Sequence, residues 1–191
     1  MSVRANLGRS GCAALAMLLL AGCAGMGSHP AQDPLAHFYQ VDEGLYRGAQ
    51  PTAEGFRRLK ALGVKTVVSL RAYGHEARSR GDERHFVESL GMRWASLPMR
   101  MYWRPSEPQV QEFLAIALDP DQQPVFVHCQ HGEDRTGALV AVYRVVKQGW
   151  APDRAYTEAR ALGLAGWNPF IRRLILHDTE RPDMRTALSS P

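Results

Sequence analysis

Short apolar, often β-branched runs recur along the chain, separated by stretches whose apolar residues return every three or four positions. Phe38 to Gly48 reads as two short strands around the turn Asp42-Glu43-Gly44. A helix follows from about Thr52 to Leu62, closed by Gly63, since glycine readily takes the left-handed conformation at a helix end. Val64–Leu70 and Met92–Leu97 predict strands, with a polar helix over 75–90 between them. Val110, Phe113, Leu114 and Ala117 lie on one apolar helix face. Pro124-Val125-Phe126-Val127 is a strand, and Ala138–Tyr143, apolar on nearly every side, starts a buried helix that ends near Gly149. Ala155, Ala159 and Leu162, then Phe170, Ile171, Leu174 and Ile175, mark two more helices. Such alternation predicts an α/β fold: a central, mostly parallel sheet of four to five strands flanked by helices. Ligands in such folds sit at the carboxyl edge of the sheet.

The first residues have a different character. Arg4 and Arg9 precede the apolar stretch Cys12–Leu20, and Ala21-Gly22-Cys23 follows. This is the charged, apolar and small-residue order of an export signal, and the apolar part is too short to span a bilayer comfortably. Leu20-Ala21-Gly22-Cys23 resembles the bacterial lipobox, which implies cleavage before Cys23 and acylation of that cysteine. With Ala24 in place of an aspartate, the resemblance implies sorting to the outer membrane, facing the periplasm. An ordinary signal cleaved nearby is the plainer alternative. The chain then divides into a signal at 1–22, a small, polar, proline-punctuated tether at 23–36, a folded domain at 37–178 and a disordered tail at 179–191.

Removing residues 1–22 leaves 169 of 191, enough for one domain with its own core. Arg4 and Arg9 leave with the signal, so 21 basic residues face 19 acidic ones. That near balance argues for no nucleic-acid partner. Of the three cysteines, the signal reading would discard Cys12 and the lipobox resemblance implies lipid on Cys23, which leaves Cys129 alone. No disulfide then forms within the mature monomer, and Cys129 faces oxidation in an exported protein.

The chemistry is concentrated in His128-Cys129-Gln130-His131-Gly132-Glu133-Asp134-Arg135-Thr136-Gly137, between the last strand and the buried helix. In a strand–tight loop–helix unit the loop N–H groups turn inward and the helix N-terminus adds partial positive charge, so a dianion is bound largely by main chain. Gly132 permits the backbone angles this requires. Gln130, His131, Gly132 and Glu133 would surround the phosphate, with Cys129 at the base as nucleophile. The N–H groups that attract phosphate also stabilise a thiolate. Arg135 offers a planar fork to two phosphoryl oxygens. Thr136 either caps the helix or donates to the cysteine sulfur as it leaves, and His128 orients the loop. A cysteine serving only as a small buried hydrophobe leaves Gly132 and Arg135 unexplained at these spacings.

This segment resembles the signature of the cysteine-dependent protein tyrosine phosphatase superfamily: His-Cys, five residues, Arg, then Ser or Thr. Tyr46-Arg47-Gly48-Ala49-Gln50-Pro51 is similar to the Tyr-Arg-x-x-Gln-Pro segment of small bacterial and fungal dual-specificity-like phosphatases. The resemblance spans about residues 38 to 177 and implies two-step phosphomonoester hydrolysis through a phosphocysteine, with no metal or cofactor. A rhodanese-type sulfurtransferase also uses a cysteine loop, but one not usually followed by Thr-Gly and a long apolar helix.

The stretch 97–106, where many relatives carry the general acid, contains no carboxylate. Asp119 and Asp121 look like turn residues and Asp82 belongs to a polar segment. Asp134 is the candidate acid, as the Cys-x-x-Gly-x-Asp-Arg form of the superfamily implies, with Glu107 the nearest alternative and helix capping the plain reading of Asp134. Its donor role needs the bound dianion to raise its proton affinity. Glu133 stands where bacterial relatives of that form have lysine, which disfavours polyanionic headgroups. Arg71, Arg100 and Arg104 would grip further phosphates or be solvated surface charge, and Tyr102 and Trp103 would face a ring or pin their loop. His75, His85 and His177 lack metal-ligand spacing. The expectation is a monomeric, lipid-anchored envelope phosphatase of phosphoproteins or small phosphomonoesters. The alternatives are an inositol phosphate or phosphoinositide phosphatase, and a catalytically idle phosphate-binding module.

Overall fold

The computed structural model describes residues 33–72, 76–100 and 104–180, apart from the side chains of 76–81 and 180. Five strands, β1 (Tyr39–Gln40), β2 (Leu45–Gly48), β3 (Thr66–Ser69), β4 (Arg93–Ser96) and β5 (Val125–His128), form one sheet in the order β1-β2-β5-β3-β4. Only β1 runs antiparallel, so the sheet is mixed but mostly parallel. Every residue of β3 and β5 is buried, as strands covered on both faces must be.

Helices α1 (Ala53–Ala61) and α2 (Glu76–Ser89) cover one face, where Phe56, Leu59 and Val87 pack with Val67 and Phe126. The opposite face carries α3 (Glu107–Leu118) and α4 (Asp134–Gln148), whose Phe113, Leu114, Leu139 and Val142 meet Val68, Val125 and Val127. The two-residue side-chain period of β3 and β5 therefore sends alternate residues into separate cores. Helices α5 (Pro152–Ala161) and α6 (Pro169–Leu176) stack outside α4 through Ala138, Ala141, Ala155, Ala159 and Ile171, which is why α4 is apolar nearly all round. All four residues expected on the apolar face of α3 are buried. Thr52 caps α1 by accepting from Gly55 N, and Gly63 and Gly149 close α1 and α4 with φ of 82° and 66°.

Two boundaries differ from the expectation. The Pro34 carbonyl accepts from Thr52 N and the Ala36 carbonyl from Ala49 N, so residues 34–36 belong to the domain rather than to a tether. At the other end, 178–180 form a 3-10 turn with Asp178 and Thr179 buried, because Thr179 donates to the Ile175 carbonyl and Asp178 accepts from Arg104. The disordered tail therefore cannot begin at 179. Cys12, Cys23, residues 23–32, His75, Tyr102, Trp103 and the chain beyond 180 lie outside the described residues.

Candidate active site

β5 ends at His128 and α4 begins at Asp134, so residues 129–133 turn between a central parallel strand and a helix N-terminus. Gly132 has φ of 75°, and a Cβ there would stand 2.5 Å from the Gly48 carbonyl carbon. Glycine is required on both counts. Its N–H donates to Cys129 Sγ at 3.2 Å, and Cys129 is 2% exposed. The sulfur thus sits at the base of the loop with a main-chain donor aimed at it, in a turn of the kind whose inward N–H groups can bind an oxyanion.

Arg135 is buried in the first turn of α4, its Nη1 3.4 Å from the Leu70 carbonyl at the end of β3. Gln130 and His131 are exposed and Glu133 is half-buried. Thr136 Oγ1 is fully buried without a hydrogen-bond partner and caps nothing, since the N-cap position of α4 is Glu133 with no side-chain cap. Its hydroxyl therefore does not serve as the helix cap. Asp134, in the first turn of α4, accepts from Ala165 N through Oδ1 at 2.6 Å, which orients the carboxylate from the α5–α6 connection. Glu107 starts α3 in a separate cavity of about 580 Å³ that also takes in Arg100, Arg104 and Gln109.

The loop is held from behind by residues whose roles the sequence pattern did not reveal. Glu83 of α2 is buried and accepts from His128 Nε2 at 3.2 Å, Trp94 Nε1 at 2.9 Å and Gln50 Nε2 at 2.8 Å. Burial pushes this carboxyl up, but the His128 bond and charge and the Trp94 and Gln50 bonds outweigh it and hold the pKa at about 2. Arg71 donates to Gln50 Oε1 at 2.6 Å, closing the network. Arg47 of β2 donates to the Gly132 carbonyl at 2.6 Å. The Tyr46–Pro51 segment thus supports the loop through both Arg47 and Gln50. A usable signal was present: Glu83 and Val87 share the buried stripe of an otherwise polar helix, and Arg47 lies inside a short strand.

Of the arginines considered for extra phosphate contacts, Arg71 is buried in this network rather than solvated, and Arg104 pairs with Asp178 at 2.6 Å. Arg100 is exposed. Beside the loop lies a cavity of about 530 Å³ bounded by Asp33, His37, Gln50, Gln130, His131 and Glu133 among others. His37 Nδ1 is 3.5 Å from Glu133 Oε1. No lysine or arginine borders this cavity among the described residues.

Residues 33–166, 134 of the 191, match the family described as DSP-PTPase phosphatase fused to NAD+ kinase. The chain belongs to this family. It is therefore a member of the dual-specificity, cysteine-dependent class of phosphatases. The dual specificity protein phosphatase TpbA of Pseudomonas aeruginosa strain UCBPP-PA14 is 34% identical over 134 residues, covering 70% of this chain and 57% of TpbA. Inositol diphosphatase DSP4 of Arabidopsis thaliana is 26% identical over 136 residues, 69% of this chain and 66% of the relative. The chain spans a little over half the length of the curated TpbA sequences it matches. The crystal structure of a P. aeruginosa TpbA cysteine-to-serine variant in complex with phosphotyrosine superposes with a TM-score of 0.67 at 28% identity, over 85% of this chain and 96% of that one.

Proposed function

We propose that this protein hydrolyses phosphomonoesters, with phosphotyrosine or phosphoserine/threonine in proteins as its substrate class. The observation that carries the reading is the Gly132 N–H aimed at the buried Cys129 Sγ in a loop closed by Arg135. In the first step the Cys129 thiolate attacks phosphorus and the bond to the leaving oxygen breaks, while Asp134 gives that oxygen its proton. Water then attacks the phosphocysteine, Asp134 takes the water proton, and the S–P bond breaks to release phosphate. Arg135 and the loop N–H groups bind the equatorial oxygens, most tightly as charge spreads.

A protein substrate is favoured over a polyanionic one by the charges around the loop. Asp33 and Glu133 border the adjacent cavity, and Arg71 and Arg104 are already paired. A second phosphate would meet carboxylates there. The inositol phosphate reading draws on the DSP4 likeness and on exposed Arg100. We further propose, from Leu20-Ala21-Gly22-Cys23 alone, that the protein is anchored to the cell envelope by lipid on Cys23.

The test is hydrolysis of an aryl phosphate, a phosphotyrosyl peptide and an inositol polyphosphate by the full chain, reduced and with chelator, beside Cys129→Ser. Turnover that resists chelator, vanishes in Cys129→Ser and favours the peptide is the expected result. Preference for the inositol polyphosphate reverses the substrate assignment. Oxyanion binding without turnover makes the protein a phosphate-binding module.

A further inference from the structure

Arg47 is among the largest fully buried side chains, 1% exposed, in a strand paired on both sides. Its Nη2 donates to the Gly132 carbonyl at 2.6 Å, while its Nε and Nη1 have no hydrogen-bond partner. Burying a guanidinium with two unsatisfied nitrogens is costly, and an apolar residue of similar volume would fill the space without that cost. Burial pulls Arg47 below the ordinary arginine range, opposed by the charges of Glu158 and Cys129. The side chain is sealed from solvent and from substrate. Whatever it does for the reaction, it does through the loop.

The peptide it grips joins Gly132 to Glu133. In a planar trans peptide the C=O and N–H point opposite ways, so a carbonyl drawn back towards Arg47 turns the Glu133 N–H forward. Gly132, at φ of 75°, already sends its own N–H to Cys129 Sγ. Successive N–H groups around a left-handed residue converge into an anion-binding concavity. We propose that Arg47 is a positioning residue: its bond to the Gly132 carbonyl locks the Glu133 N–H into the phosphate cradle, and its buried charge supports the bound dianion from behind. This rests on the phosphatase reading of the Cys129 loop. It adds to Arg135 a cationic support that never touches substrate.

The experiment compares the full chain with Arg47→Lys and Arg47→Met, reading tungstate affinity, the kcat and KM of an aryl phosphate, and the tungstate-induced NMR shift of the Glu133 amide. Tungstate affinity should fall about ten- to hundredfold in Arg47→Met, the range for a lost hydrogen bond to a charged group. The Glu133 amide should stop responding, kcat should fall with it, and Arg47→Lys, which keeps charge and a donor, should recover most of the affinity. If Arg47→Met does not fold, Arg47→Gln replaces it, with a cooperative melt as the check. Wild-type tungstate affinity and a responsive Glu133 amide in a folded Met or Gln variant overturn the proposal, as a purely structural role predicts. A wild-type protein that binds no tungstate at all brings down the phosphatase reading instead.

Discussion

At the scale of the residue, the division of labour between Cys129 and Asp134 is the part most open to a direct kinetic test. Asp134 has two roles to separate, since its Oδ1 anchors Ala165 N and the proposed mechanism asks it to donate a proton. Asparagine keeps an Oδ1 acceptor and loses the acid. Asp134→Asn should therefore melt near the wild type, within about 1 kcal/mol, yet lose about 10²- to 10⁴-fold in kcat on phosphotyrosine, the usual contribution of general acid catalysis. On an aryl phosphate whose leaving group needs no proton, the loss should be below about tenfold. Equal losses on the two substrates would count against Asp134 as the acid. The strand–loop–helix placement of Cys129 and Arg135 and the turn at Gly132 were legible in sequence because the loop is local: the seven consecutive residues 129–135 carry the backbone requirement. Arg47 was not legible in this way, because its partner is 85 residues distant.

At the scale of the element, α2 illustrates the same limit. Its sequence predicted a polar helix, and the structure turns Glu83 inward beside Val87, where it holds β5 through His128, β4 through Trp94 and the β2–α1 connection through Gln50. The carboxylate's value falls from 4.5 to about 2 on folding, so its contribution is complete above about pH 4.5 and is lost as pH falls towards 2. The size is on the order of 3 kcal/mol for a shift of this extent at a buried site. Urea denaturation across this window should show stability falling by roughly one proton's worth per pH unit more steeply than in Glu83→Gln. That variant should be about 3–5 kcal/mol less stable at neutral pH, as expected when one partner of a buried charged network is removed. A variant with the same acid limb as the wild type would show that Glu83 is not the group responsible. Helix and strand positions elsewhere followed the apolar periods closely. Strand order did not, because periodicity records which face is buried and not which strand lies alongside.

At the scale of the whole molecule, the helical layer outside α4 is tied back to the loop. Ala165 holds Asp134, and a Cβ on Gly163 would come within 2.6 Å of Glu133 Cγ, so the α5–α6 connection fits closely against two loop side chains. The chain after α6 extends this bracing, since Asp178 accepts from Arg104 at 2.6 Å and lies 3.9 Å from Arg173. Read alone, residues 178–180 are polar and look like the start of a frayed end; the buried Asp178 pairs with an arginine 74 residues earlier. Arg104 is also the residue whose engagement removes one cation from those available to a second phosphate. Asp178→Ala should therefore do two things together. Stability should drop by about 1–2 kcal/mol, roughly 2–8 °C in Tm for a domain of this size, because a buried acceptor is lost while Arg104, 40% exposed, can turn to water. The freed guanidinium should also raise the affinity for an inositol polyphosphate by about two- to fivefold relative to a singly phosphorylated ligand, a gain that shrinks in high salt. Calorimetry with the two ligands at low and high salt measures both effects. A destabilised variant with unchanged relative affinity would place Arg104 out of reach of the bound ligand and leave Asp178 a purely structural pin.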